Sequence, residues 1–309
     1  MDIVRTDVPI TSQSCENMMD ALAKEYPFIR REKLTTTDFQ RPVSAMVMGR
    51  GDRHVIFTAA HHANEWITAL ILLQFAEELA KAIQSGGRIF GVPASTIDKY
   101  STVHLIPMVD PDGVDLVVGA APPEQVAFAK TLSENYPQIP FPEGWKANLA
   151  GVDLNLQYPA GWLQAREIKF SQGFTRPGPR DYVGRAPLDQ RETRALAEYT
   201  MAVSPALVLA FHTQGEEIYW KFRDYEIPGA KALGEEFARL SGYTLADTPY
   251  ESAFAGYKDW FIQQFRRPGY TIEAGRGTSP LPLSDFPKIY KDTLGILTTA
   301  ATGLPTMGN

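Results

Sequence analysis

The chain has 309 residues, 44% of them hydrophobic and 21% charged, an ordinary balance for a folded domain with a sizeable core. A formal net charge of −6 implies no basic face and argues against nucleic acid as a partner. The one cysteine, Cys15, excludes an intrachain disulfide and a cysteine-rich zinc site, so any metal must be held by histidine and carboxylate.

Met1-Asp2-Ile3-Val4-Arg5 lacks the basic-then-apolar layout of an export signal, which makes a cytoplasmic protein the expectation. Ser12 or Ser14 is placed to cap a first helix carrying Met18, Met19, Leu22 and Ala23 on one face and ending near Tyr26. Two strands follow, Ile29 to Thr36 and Val43 to Met48, with a turn from Asp38 to Pro42. From there strand and helix alternate. Val55 to Ala60 reads as a buried strand, and Glu65 to Ser85 as a helix. The longest apolar run inside that helix, Ile67 to Phe75, is too short to cross a membrane. Thr102 to Val109 is a strand ending in the turn Asp110-Pro111-Asp112-Gly113. Helices are predicted over Pro123 to Asn135, Leu188 to Val203, Gly229 to Leu240, Tyr257 to Phe265 and Leu283 to Thr299. Further strands are predicted over Pro205 to Phe211 and Gly269 to Ile272. The alternation predicts an α/β fold, a mixed and mainly parallel central sheet with helices on both faces, in a single domain over residues 1–309. Residues 120–187 are the exception, rich in Pro, Gly and aromatics. So long an irregular stretch is expected to form the walls of a site.

Ligands of open α/β sheets gather beyond the carboxyl ends of the strands. His61 and His62 follow the third predicted strand, with Glu65 three residues after His62. Asp110 follows the fourth, His212 the fifth and Glu273 the last. Two imidazoles of this group together with Glu65 make a three-ligand set for zinc, leaving a position open for chemistry. Glu273 remains as a carboxylate free to move protons. The chemistry this describes is amide hydrolysis.

These pieces, in order, carry a resemblance. His62-Ala63-Asn64-Glu65-Trp66, Pro111-Asp112-Gly113, Gly151-Val152-Asp153-Leu154-Asn155, Phe211-His212-Thr213 and Tyr270-Thr271-Ile272-Glu273 resemble the zinc carboxypeptidase family, typified by carboxypeptidase A. The resemblance implies one Zn2+ held by His62, Glu65 and His212, Glu273 as general base, and Asp153 orienting a ligand histidine. It implies a cation for the oxyanion from the region of Trp145 to Asn148, with Lys146 the best placed and Arg276 a second candidate. Asn155, Asn148 and Lys258 become substrate contacts, together with Tyr250 or Tyr257. Two positions depart from the family: the arginine that grips a substrate's terminal carboxylate is replaced by Leu156, and the arginine inside the first zinc motif by Asn64. Leucine cannot form that bidentate pair.

The departures, with Asn155-Leu156-Gln157-Tyr158-Pro159-Ala160-Gly161-Trp162 and Glu273-Ala274-Gly275-Arg276-Gly277, resemble the γ-D-glutamyl-diamino acid peptidase and murein peptide amidase branch. That likeness implies hydrolysis of the γ-D-glutamyl bond to diaminopimelate or lysine in cell-wall peptides, with a muropeptide as substrate. Lys258 would then favour the carboxylate at the far end of diaminopimelate. Two other readings are a carboxypeptidase releasing C-terminal residues, acidic ones among them, and a non-catalytic peptide-binding relative. No oligomeric state follows from the sequence.

Overall fold

The apolar, β-branched runs assemble side by side rather than in chain order. The computed structural model describes residues 2–303. It begins with α1 (Ser12–Glu25), β1 (Arg30–Thr36), β2 (Pro42–Met48), β3 (Arg53–Thr58) and α2 (Ile67–Ser85). A short hairpin of β4 (Arg88–Ile89) and β5 (Val92–Pro93) leads to α3 (Ala94–Tyr100), β6 (Ser101–Ile106) and α4 (Pro111–Val117). Three helices follow, α5 (Pro123–Ser133), α6 (Trp162–Ser171) and α7 (Arg191–Val203). The chain closes with β7 (Leu207–His212), β8 (Glu217–Tyr219), α8 (Ala230–Ser241), β9 (Thr244–Ala246), α9 (Tyr257–Phe265), β10 (Gly269–Glu273) and α10 (Phe286–Thr302).

One eight-stranded sheet runs in the order β1-β2-β6-β3-β7-β10-β8-β9. Its centre, β6 through β10, is parallel, while β1, β2 and β8 join antiparallel to their inner neighbours. Successive side chains alternate faces, so Val55 and Phe57 pack under α1, α2 and α10, whereas Ile56 joins Leu196 of α7 and Phe261 of α9. Both faces are covered, which is why the central strands read as unbroken apolar runs. Among the described residues no helix is long and apolar enough to cross a membrane.

Several boundaries differ from expectation for local reasons. Thr11, not Ser12 or Ser14, caps α1. Its side chain accepts from Ser14 N, and Ser14 Oγ accepts from Thr11 N in return. Ser12 instead spends its amide and hydroxyl on Asp115. β3 and β6 stop at Thr58 and Ile106. Beyond the sheet, Ala59 N bonds Ile106 O at 3.0 Å and Asp110 N bonds Ala60 O at 2.9 Å, so both segments run on as a pair. The expected turn at Asp110 is the capped start of α4, because Asp110 Oδ1 accepts from Gly113 N at 2.9 Å. The stretch read as irregular also contains α6, whose apolar pattern is weak: only Trp162, Ala165 and Lys169 are buried.

Candidate active site

Strand β3 ends in a sharp reversal. Ala60 adopts a positive φ of 45°, a conformation that costs a residue with a Cβ about 1–3 kcal/mol. Its amide donates to Thr68 Oγ1 at 2.9 Å, and that hydroxyl donates on to Glu65 O at 2.7 Å. The 63–65 turn is therefore tied to the first turn of α2, and His62 and Glu65 leave it on the same side. Parallel pairing of β10 with β7 sets Glu273 directly beside His212.

Three side chains converge where these elements meet. His62 Nδ1 lies 2.9 Å from Glu65 Oε1, and His212 Nδ1 lies 2.9 Å from Glu65 Oε2. The two Nδ1 atoms are 3.2 Å apart. All three residues are buried, and their ligand atoms fall within 4.8 Å of one another. Two ring nitrogens and a carboxylate turned towards one point suit a borderline-soft divalent cation. The opposite nitrogen of His62, Nε2, meets Asp153 Oδ1 at 3.1 Å, which fixes the ring. Asp153 is itself held by the amides of Asn155 and Asp181, at 3.1 and 3.3 Å.

Electrostatics follow from burial and this pairing. Burial opposes a charge on His62, but Glu65 and Asp153 outweigh it and push its pKa up to about 9. Burial lowers His212. Although burial resists it, His62 and Lys146 hold the Glu65 carboxyl well below the usual range. Burial first, then the Glu65 charge, pushes Glu273 up to about 8.

A cleft of about 530 Å³ opens over these groups, and the sequence-derived candidates divide according to whether they reach it. Lys146 does: its Nζ lies 3.2 Å from Glu65 Oε1, and its carbonyl accepts from Ala63 N at 3.0 Å. Asn155 lines the cleft while its Oδ1 accepts from Tyr257 N at 3.0 Å. Lys258 lines it too. It is no surface lysine, being 3% exposed, with Nζ donating to Lys221 O at 2.7 Å and lying 2.6 Å from Asp259 Oδ1.

Four candidates stand elsewhere. Arg276 projects outward, its side chain 73% exposed and paired with Glu216 at 2.7 Å, away from the cleft lining. Asn148 is buried in a turn, bonding Val152 N, Gln190 and Glu192. Tyr257 is a core residue whose hydroxyl meets Thr200 Oγ1 at 2.8 Å. Tyr250 is 66% exposed and packs edge-on against Phe254. None of the four lines the cleft. Residues missed from the sequence do: Lys169, Arg180 and Asp181 from the 120–187 stretch, and Tyr219 on β8. No spacing pattern marked them, though the irregular stretch that supplies three of them was expected to form site walls. His61 is packed behind the centre, stacked on His212 with centroids 5.6 Å apart.

A model of the zinc carboxypeptidase family matches residues 15–295. The chain belongs to the zinc carboxypeptidase family. It is 42% identical over 282 residues to gamma-D-glutamyl-L-diamino acid endopeptidase 1 of Lysinibacillus sphaericus, covering 91% of this chain and 69% of that protein. Bovine thrombin-activatable fibrinolysis inhibitor has the same fold, with a TM-score of 0.73 at 14% identity over 96% of this chain and 98% of the other. So does murein-tripeptide amidase MpaA of Escherichia coli O157, with a TM-score of 0.54 at 17% identity over 89% and 93%. As a family member the chain is a metallopeptidase and its cofactor is zinc.

Proposed function

We propose that the chain hydrolyses the γ-D-glutamyl amide to a diamino acid in cell-wall peptides, with zinc held by His62, Glu65 and His212. The observation that carries the chemistry is the meeting of those three side chains under a cleft that Glu273 and Lys146 also line. Bound there, zinc supplies Lewis acidity for the carbonyl and acidifies a water. Glu273 takes the water's proton on a carboxylate oxygen and delivers it to the leaving amine. With such an ion held by the three ligands, Glu273 would give up its proton more readily than burial and the Glu65 charge alone allow. Lys146 Nζ faces the oxygen on which charge develops, a contribution of about 3–4 kcal/mol in comparable sites.

Substrate choice rests on what recognises the ends. Leu156 lines the cleft where a typical carboxypeptidase carries arginine, and Asn64 is buried with Nδ2 donating to Glu143 O at 3.3 Å. Neither offers a terminal carboxylate a charged fork. Lys258, buried in the cleft wall, suits the distal carboxylate of diaminopimelate on the leaving side. The name of the 42%-identical relative supports the same substrate class. Cytoplasmic action belongs to this proposal, and cell fractionation tests it.

The deciding experiment incubates zinc-loaded protein with a γ-D-glutamyl-diaminopimelate peptide, its lysine counterpart and an ordinary α-linked peptide, reading products by mass. Cleavage of the γ-linked peptides alone is expected. Release of C-terminal residues from the α-linked peptide alone would establish the carboxypeptidase reading instead.

A further inference from the structure

Arg180 has no role in the chemistry described so far, yet it lines the cleft. Its Nε lies 2.6 Å from Asp181 Oδ2, and its terminal nitrogens make no hydrogen bond among the described residues. Asp181 does not need it as a partner, because Lys169 Nζ, itself buried, sits 2.7 Å from Asp181 Oδ1. Two cations thus share one carboxylate, leaving a positive charge with an open guanidinium face. The backbone on either side of Arg180 is tied down. Pro179 O accepts from Lys146 N at 2.7 Å and from Ala147 N at 2.9 Å, which fixes Arg180 beside the Lys146 segment. On its other side Asp181 N bonds Asp153 Oδ2, tying the loop to the support of His62.

Resting on the substrate reading above, we propose that Arg180 binds the free α-carboxylate of the D-glutamyl residue on the acyl side of the scissile bond. The chemistry selects this group. Lys146 faces the scissile carbonyl, so a cation anchored to the Lys146 segment serves the acyl residue, whereas Lys258 is anchored to Lys221 and Thr248 on other elements. A γ-linked D-glutamyl residue carries its own carboxylate a few bonds from that carbonyl. An α-linked residue has an amide in its place. A planar fork with both terminal nitrogens open matches a carboxylate bidentately.

The test compares two peptides, γ-D-glutamyl-diaminopimelate with the D-glutamyl α-carboxylate free and the same peptide with an α-carboxamide. Wild-type zinc enzyme should favour the carboxylate by about 10- to 100-fold in kcat/KM, the usual worth of a hydrogen bond to a charged group. Arg180→Gln should lose that factor on the carboxylate peptide alone, bringing the ratio near one, and Arg180→Lys should recover part of it. Calorimetric titration with the acyl product, free or amidated, should show the same loss of discrimination in binding. A wild type indifferent to amidation, or equal losses on both peptides in Arg180→Gln, overturns the assignment and marks Arg180 as a brace for the loop. Wild type inert on every γ-linked peptide overturns the substrate reading, and this inference with it.

Discussion

Gly113→Ala sets two effects of opposite sign against each other. Gly113 lies within α4, and replacing a helical glycine with alanine normally stabilises by about 0.5–1 kcal/mol. A Cβ at this position, however, would lie 2.6 Å from Ala147 O and 2.7 Å from Ala63 Cβ, and closer still to Asp110 Oδ2. The first two belong to backbone or to a side chain with no rotamer to change. Asp110 could swing away only by giving up the cap it provides to Gly113 N. Overpacking of this kind costs about 1–3 kcal/mol, and the cap is worth about 1 kcal/mol more. Sterics should win, giving a net loss of about 1–3 kcal/mol.

The seam being forced apart is the one that joins His62 and Glu65 to Lys146, through the bond from Ala63 N to Lys146 O. Urea unfolding should therefore show a lower midpoint at unchanged slope, and the melting temperature should fall by about 2 °C per kcal/mol. Zinc affinity, measured by chelator competition, should fall as well. A variant that is stabilised by about the helix-propensity increment, with zinc affinity intact, would refute the reasoning.

Three further outcomes are expected. Asp153→Asn removes the charge that holds His62 Nε2, and chelator competition should show zinc affinity about 10- to 100-fold weaker. Glu273→Gln should retain one zinc per chain by elemental analysis while kcat drops about 10²- to 10⁴-fold, and unchanged turnover would remove Glu273 from the mechanism. Burial, Asp112 and Asp38 push Glu192 from 4.5 up to about 7, so the folded state binds the extra proton between those values and stability falls as pH rises through that window. Glu192→Gln keeps an acceptor for Asn148 and should flatten that slope in urea titrations at pH 5 and 8, by about 3 kcal/mol at the upper end.

The sheet was legible because its central strands are buried on both faces, and such runs cannot be mistaken for surface. Short elements were not. β8 has three residues, and α3 and α4 have seven each, lengths at which period and propensity carry little signal. The ligand candidates were legible for a different reason: His62, Glu65, His212 and Glu273 each follow a recognisable strand, so fold and site came from one pattern. Arg276 lies only three residues beyond Glu273, the last residue of β10. Two residues of drift past Ala274 took it out to solvent, a difference that strand-end position alone cannot express. Lys258 was the reverse case. Lysine at a helix start is ordinarily solvated, and only the contacts with Lys221, Thr248 and Asp259 show it to be interior.

The two halves of the site obey different rules. Groups that hold metal and move protons must be placed to fractions of an ångström, and rigid strand ends supply that placement. They recur as short motifs for the same reason. Groups that recognise the substrate need only the right charge on a wall of the right shape, and loops and helix surfaces supply them without a shared spacing. In this chain the positions of two arginines that a typical carboxypeptidase carries in its motifs are taken by Asn64 and Leu156, and neither residue brings a positive charge. Cations nevertheless line the cleft: Lys169 on α6, Arg180 on the loop beyond it, and Lys258 at the start of α9. On the substrate reading proposed above, recognition of negative charge moves to these cations. Its new position, one cation tied to the Lys146 segment and another near Thr248, suits a ligand with carboxylates on both sides of the bond to be cut rather than one at its end.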